Sequence, residues 1–279
     1  MQSGEVLVVG ATGKTGRRVA ERLGELGYEP RAASRRGPVH FDWGDESSWL
    51  PAIGRSHAAY LIDSQGADAA DRLASFSAIA VGRGVRRLVL LSARDWATSG
   101  SRESLATERA LIDSGAEWTI LRPSWFAQNF SETPFLHGPV LDGEVALPTG
   151  DGLEPFIHAD DIADVATAAL TERGHAGQTY ELSGPRCLSF GRAVEEIAHA
   201  TGRDIAFVDV SDAEYLARAV DKGVERELAA ALAVLFGWIR EGRNAHLSDG
   251  VQRVLDREPL DFATYVTETA STDAWKVLS

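Results

Sequence analysis

Lysine is almost missing from this chain: Lys14, Lys222 and Lys276 are the three in 279 residues. Cysteine is rarer still. Cys187 stands alone, so no disulfide can form within the chain and no cysteine-rich metal site can be built. The seven histidines show no His-x-x-x-His spacing, and no metal is expected. Basic residues number 28 against 41 acids, a formal net charge of −13. Duplex nucleic acid and anionic membranes both call for a basic face, so neither is an expected partner. No apolar run approaches the roughly 20 residues of a membrane span. Met1 to Glu5 carries no basic region ahead of the first apolar run. No secretory leader is expected, and the expected location is the cytoplasm.

What remains is an ordinary globular composition, 44% apolar and 25% charged. The length suits one large α/β domain or two unequal lobes. The first half alternates short apolar runs with helical patterns. Residues 6–9, 30–34, 58–62, 87–92 and 118–122 read as strands. Residues 15–26, 71–83 and 105–114 read as helices. The run RLVLLS at 87–92 is apolar enough to be buried on both faces. That alternation predicts a doubly wound parallel sheet with helices on both faces. After Pro123 the pattern loosens. Residues 138–152 read as loop, 159–170 as a helix opened by Asp160 and Asp161, 178–183 and 205–210 as strands, and 190–201, 212–220 and 224–239 as helices. A smaller, mostly helical C-terminal lobe is expected. The apolar helix at 224–239 suits the core of that lobe, with a pocket wall or a dimer face as the alternative.

The strongest local signal is VLVVGATGKTGRRVAERL at 6–23. Gly10, Gly13 and Gly16 lie between a strand and a helix. In such a loop the first glycine makes the turn, the second admits a pyrophosphate, and the third packs helix on strand. The helix N-terminus then offers free N–H groups to phosphate. A Rossmann-type dinucleotide site follows. NAD-preferring sites place an acid at the end of the second strand. Here that stretch is Arg31-Ala-Ala-Ser34-Arg35-Arg36, with no acid. Ser34 and Arg35, with Arg36 and Lys14, suit a 2′-phosphate, and the expected cofactor is NADPH. Residues 1–125 with 156–185 are expected to form the NAD(P)-binding domain, and 126–155 with 186–279 the substrate lobe.

The scarcity of lysine then bears on chemistry. A tyrosine with a lysine four residues on is a common proton donor to a carbonyl being reduced. Four residues after Tyr28, Tyr60, Tyr180, Tyr215 and Tyr265 stand Ala32, Ser64, Gly184, Ala219 and Thr269. No such pair exists. Either the protein binds the cofactor without chemistry, or it reduces a group that needs no strong proton donor. An iminium ion is such a group. Quinones and enones are intermediate, since solvent can protonate them.

The loop GATGKTGRRVA, FDWGDESSW at 41–49, RRLVLLSA at 86–93 and WTILRPSWFAQNF at 118–130 resemble the NmrA-like atypical short-chain dehydrogenases. Within them, FDWxDES, LRPxWFxxNF and the run Asp160-Asp161-Ile162-Ala163 are most similar to the festuclavine and agroclavine dehydrogenases of ergot alkaloid biosynthesis. The resemblance runs from about Val6 to Gly202 and thins after Arg203. It implies an NADPH-dependent reductase of a cyclic iminium, with a quinone reductase or a non-catalytic NAD(P)-sensing regulator as alternatives. It implies that Gly10, Thr12, Gly13, Lys14 and Thr15 form the phosphate loop, and that Ser34 and Arg35 select NADPH. Asp42, beside Trp43, would accept from the adenine amino group, while Asp45 would cap a helix. Ser92 and Ala93 would lie beside the nicotinamide ribose. Pro123, Trp125, Phe126 and Asn129 match the element that crosses above the nicotinamide. The chain departs from the pattern at Ile62-Asp63-Ser64-Gln65, which turns attention to Asp63 as a cleft residue.

Ligands of open α/β sheets sit beyond the carboxyl ends of the strands. Ser92, Trp125 and Asn129 are therefore the candidate catalytic residues, and Asp63, Asp95, Trp96 and Phe126 the candidate substrate contacts. The aromatics suit a flat or cationic ring. Each has a plainer alternative: Trp125 as cover for the sheet edge, Asp95 as a surface acid, Asn129 as a turn cap, Ser92 as a ribose ligand. The expected partner is a small molecule, cationic or aromatic, and the expected protein is a monomer or homodimer.

Overall fold

A computed structural model describes residues 4–99 and 105–277. In chain order the first half runs β1 (Glu5–Val9), α1 (Lys14–Glu25), β2 (Glu29–Ser34), β3 (Val39–His40), α2 (Trp49–Ile53), β4 (Ala58–Ile62), α3 (Ala69–Gly82), β5 (Arg87–Leu91), α4 (Arg94–Ser99), α5 (Ala106–Ile112) and β6 (Glu117–Pro123). Then follow α6 (His137–Asp142), β7 (Glu144–Leu147), β8 (Leu153–Glu154), α7 (Ala159–Thr171), β9 (Gln178–Leu182), β10 (Leu188–Ser189) and α8 (Phe190–Thr201). The rest is β11 (Ala206–Asp209), α9 (Asp212–Asp221), α10 (Arg226–Arg240), α11 (Gly250–Leu255) and α12 (Phe262–Ala270).

The chain divides into two compact units. The first comprises Met1–Pro123, Ala159–Leu182 and Asp249–Arg257, and the second Ser124–His158, Ser183–Ser248 and Glu258–Ser279. The expected boundary put everything after 185 in the second lobe; Asp249–Arg257 belongs to the first unit instead. The reason is local. Gly250 lies so close to the Glu181 carbonyl that a Cβ would overlap it. Arg257, just past α11, reaches Asp161 at 2.6 Å and Asp164 at 2.7 Å on α7.

The first unit is the expected doubly wound sheet. Its seven strands run in the order β3-β2-β1-β4-β5-β6-β9, and the pairings along it are parallel. The order reverses between β1 and β4, the crevice where such sheets bind ligands. The sequence AAYLI of β4 and RLVLL of β5 is buried because helices cover both faces. Trp49, Phe76, Leu73 and Leu88 fill one of those faces. On α1, Arg18 pairs with Asp160 at 2.6 Å and Arg22 with Asp164 at 2.9 Å. The acids that open α7 therefore serve as ion-pair partners to α1 and to Arg257.

The second unit has an aromatic core of Trp125, Phe130, Phe156, Phe190, Phe236, Phe262, Tyr265 and Trp275. The Trp275 indole N–H donates to the Phe130 carbonyl at 2.9 Å. Helices α8, α9 and α12 are capped by Ser189, Ser211 and Asp261. Residues 138–152 are not a plain loop: α6 and β7 form there, joined by Gly143 with φ +84°. β7 is four residues long and gains its partner, parallel β11, only from far down the chain. Helix α10 buries Ala229, Phe236 and Ile239 and leaves Leu228 and Val234 half exposed. It is a core helix with an open outer side.

Asp161 is fully buried. Removing its guanidinium partner leaves a desolvated carboxylate. Arg257→Ala should lower the unfolding free energy by about 2 kcal/mol in urea denaturation; a loss under about 0.5 kcal/mol would show that the pair contributes nothing.

Candidate functional site

The site begins where β1 ends. Gly10 turns the chain with φ +76°, and its N–H and that of Ala11 donate to the Ala33 carbonyl at 2.9 and 3.2 Å. Gly13 precedes α1, and no side chain caps that helix start. A helix start of this kind suits an external acceptor for its N–H groups. Gly16 sits against the Gly10 carbonyl, which a Cβ would overlap. Gly16 therefore serves helix–strand packing, and Gly13 keeps the loop surface bare.

Beyond these strand ends lies a cleft of about 910 Å³, lined by Gly10, Thr12 and Gly13, by Ser34, Arg35, Arg36 and Phe41, by Asp42 and Trp43, and by Ile62, Asp63, Ser64 and Arg72. Its size falls within the roughly 300–1,000 Å³ of ligand clefts. Two polar atoms in it, Ser34 Oγ and Ser64 Oγ, are buried and have no hydrogen-bond partner among the described residues. Buried hydroxyls without partners are unusual. A phosphate-bearing ligand would supply acceptors for both. Three arginines, a bare glycine loop and an uncapped helix start complete a donor set that fits a dinucleotide phosphate.

Most of the expected cofactor residues meet in this cleft. Asp42 lies on its wall, with Oδ1 accepting from the Gly44 N–H at 2.8 Å. The Trp43 indole N–H donates to the Ile62 carbonyl at 2.9 Å, and its ring packs edge-on against Phe41 and Phe76. Trp43 thus fixes the cleft wall to the core. Asp45 accepts from the Ser47 N–H and caps the turn after Asp42. The Thr15 hydroxyl accepts from Tyr60 OH at 2.9 Å inside the core, which leaves its backbone, not its side chain, to the loop. Lys14 opens α1 at the edge of the same loop.

The substrate candidates fall into two sets. In the first unit, Asp63 lines the cleft just past β4. Gln65, held at φ +54°, donates its N–H to Asp63 Oδ1 at 3.0 Å. Burial pushes the Asp63 carboxyl above its ordinary value, against the Gln65 and Thr107 hydrogen bonds that lower it. Asp95 is buried in the first turn of α4 and Trp96 is half-buried beside it. Asp95 is therefore no surface acid. In the second unit, Trp125 packs on Phe236 at 5.3 Å and Phe190 at 5.8 Å. Phe126 bridges Ile157. Asn129 is buried with Oδ1 lacking a partner among the described residues, as does Trp125 Nε1.

Sequence reasoning missed Arg72, Ser64 and a buried acid. Ser92, at the end of β5, donates to Glu108 Oε1 at 2.6 Å. Glu108 also receives Arg122 Nε at 2.9 Å and Nη2 at 2.6 Å. That pairing raises the Arg122 guanidinium above its ordinary value. The one available signal was an acid in the stretch where a tyrosine and a lysine were sought.

A family model described as NAD(P)H-binding matches residues 41–173. An uncharacterized oxidoreductase of Bacillus subtilis is 32% identical, with 97% of each chain covered. The festuclavine dehydrogenase of Aspergillus fumigatus is 32% identical over 94% of this chain and 97% of its own. The chain belongs to the NmrA-like family of NAD(P)H-binding oxidoreductases. In fold it is similar to an NADPH-dependent quinone oxidoreductase of Escherichia coli, with TM-score 0.76 and 23% identity over 94% of this chain and 99% of that one. The family expected from the loop and from WTILRPSWFAQNF is thus the family found.

A carboxyl raised on folding favours the protonated form, so folding loses stability as pH climbs through its folded-state value. Asp63→Asn keeps the acceptor for Gln65 and removes that cost. The variant should be the more stable protein at pH 7 by urea denaturation, with the gap narrowing toward pH 4. A variant less stable at pH 7 would contradict the burial account.

Proposed function

We propose that the protein is an NADPH-dependent reductase that delivers hydride to an iminium or other activated double bond of a small specialised metabolite, without a Tyr–Lys proton relay. The observation that carries the reading is where the tyrosines and lysines go. Tyr60 is committed to Thr15 in the core. The Tyr180 hydroxyl meets His175 Nδ1 at 2.9 Å. Lys222 and Lys276 are tied to Asp142 and Asp273. None of these pairs a phenol with an ammonium.

The chain's own residues have the following roles. Gly10 to Gly13 and the start of α1 hold the pyrophosphate by backbone N–H groups. Ser34, Arg35 and Arg36 hold the 2′-phosphate, with Lys14 and Arg72 adding positive charge, and Asp42 takes the adenine amino group. When bound, the reduced nicotinamide supplies a hydride, and its addition to the carbon of an iminium cation gives a neutral amine with no proton required. Within the first unit, Ser92 would adjoin the nicotinamide, Asp63 and Asp95 favour a positive substrate, and Trp96 gives it an aromatic contact. Similarity to festuclavine dehydrogenase supports the iminium class. A second reading, a quinone reductase, is supported by the likeness to the quinone oxidoreductase, since solvent can protonate a reduced quinone.

Two measurements test this. Arg35→Ala should cut the ratio of NADH to NADPH dissociation constants by about tenfold, the worth of one charge-assisted phosphate contact; an unchanged ratio would refute the NADPH assignment. The wild-type protein should oxidise NADPH in the presence of cyclic iminium ions. Tight dinucleotide binding with no turnover on iminium or quinone panels would leave a cofactor sensor instead.

A further inference from the structure

One short turn of helix ties together the carboxyl ends of three neighbouring strands. Pairing of Ile62 with Leu91, and of Leu91 with Leu121, puts Asp63 just past β4, Ser92 just past β5 and Arg122 near the end of β6 next in line. The first turn of α5 brings Thr107 and Glu108 to them. Thr107 hydrogen-bonds Asp63, and Glu108 holds both Ser92 and Arg122. Glu108 is 3% exposed.

The direction of these bonds decides what Ser92 can do. Arg122 is a donor only, and it occupies both Glu108 oxygens. A carboxylate in that position is an acceptor only. The Ser92 proton therefore goes to Glu108, and the 2.6 Å separation is that of a charge-assisted O–H···O⁻ bond. Serine has one proton and two lone pairs. With the proton committed, the lone pairs are what remain, and the neighbouring carboxylate makes them more negative. Among the groups bridged here, Asp63 and Glu108 outnumber Arg122, so the local field also favours positive charge.

We infer that Glu108 is a positioning residue that fixes Ser92 Oγ as a hydrogen-bond acceptor at the ligand end of β5, so that this point takes a group carrying an N–H, an O–H or a positive charge and does not protonate a developing oxyanion. Two sources offer that chemistry, a cationic substrate and a ribose hydroxyl of the dinucleotide. The substrate arm rests on the reductase reading; the dinucleotide arm does not.

The test compares wild type, Ser92→Ala and Glu108→Gln by steady-state kinetics at saturating NADPH, with a cyclic iminium ion and with a neutral benzoquinone, and by direct titration of NADPH binding. Ser92→Ala leaves the Glu108–Arg122 pair in place, so its fold should survive; thermal unfolding of both variants checks this. In Ser92→Ala, a cationic partner predicts a fall of about tenfold in the iminium-to-quinone ratio of kcat/KM. A ribose partner predicts instead an NADPH dissociation constant about tenfold weaker. In Glu108→Gln, a neutral amide oxygen replaces the carboxylate that Ser92 and Arg122 Nε share, so the negative charge behind Ser92 is lost and the same ratio should fall, by less than in Ser92→Ala. A quinone rate that falls more than the iminium rate in Ser92→Ala would overturn the proposal. So would a ratio and a dissociation constant that both stay within about twofold. Absence of iminium turnover in the wild type would overturn the substrate reading alone, and NADPH titration would then decide the role of Ser92.

Discussion

The first unit depends on the close approach of Gly16 to the Gly10 carbonyl. No side chain fits between them. That contact seats the first turn of α1 directly over the end of β1, with no side-chain cap from Gly13. The rest of the first unit keeps that helix in place. Asp160 and Asp164 on α7 hold Arg18 and Arg22, and Arg257 ties α7 in turn to the segment after α11. Because the strand order reverses between β1 and β4, the cleft opens beside this helix start. The glycine loop is thus a consequence of packing before it is a candidate binding site.

Arginine carries nearly all the fixed cation chemistry in a chain with so little lysine. Its planar fork suits carboxylates and phosphates bidentately. Arg186 grips Glu196 and Asp261, Arg122 grips Glu108, and Arg257 bridges two acids of α7. Lysine is the residue that usually lowers a catalytic phenol's pKa, and no tyrosine of the chain has one four residues on. What stands there instead is a serine whose proton is held by a buried acid. An electrophile that already carries its positive charge meets such a site without needing a proton from it.

Much of this was legible from local pattern. The βα loop, the buried strands and the aromatic segment after Pro123 each announce themselves within a few residues, and the family follows from them. What the local pattern did not carry has another cause. The Thr15 hydroxyl turns inward to Tyr60, a residue 45 positions away. Glu108 lies 16 residues from Ser92 and 14 from Arg122, and no helical or strand spacing links them. β7 exists because β11 pairs with it, and residues 249–257 join the first unit through Arg257. Contacts made across the fold left no periodic trace in the chain.

Hydride addition to an iminium ion needs no proton donor from the protein. The most direct measurement is the pH profile of kcat for a cyclic iminium ion bearing no N–H, at saturating NADPH. With neither substrate charge nor a relay to titrate, kcat should stay flat from about pH 6 to 9. A limb falling with a single ionisation in that range would show an essential acid or base and contradict the account.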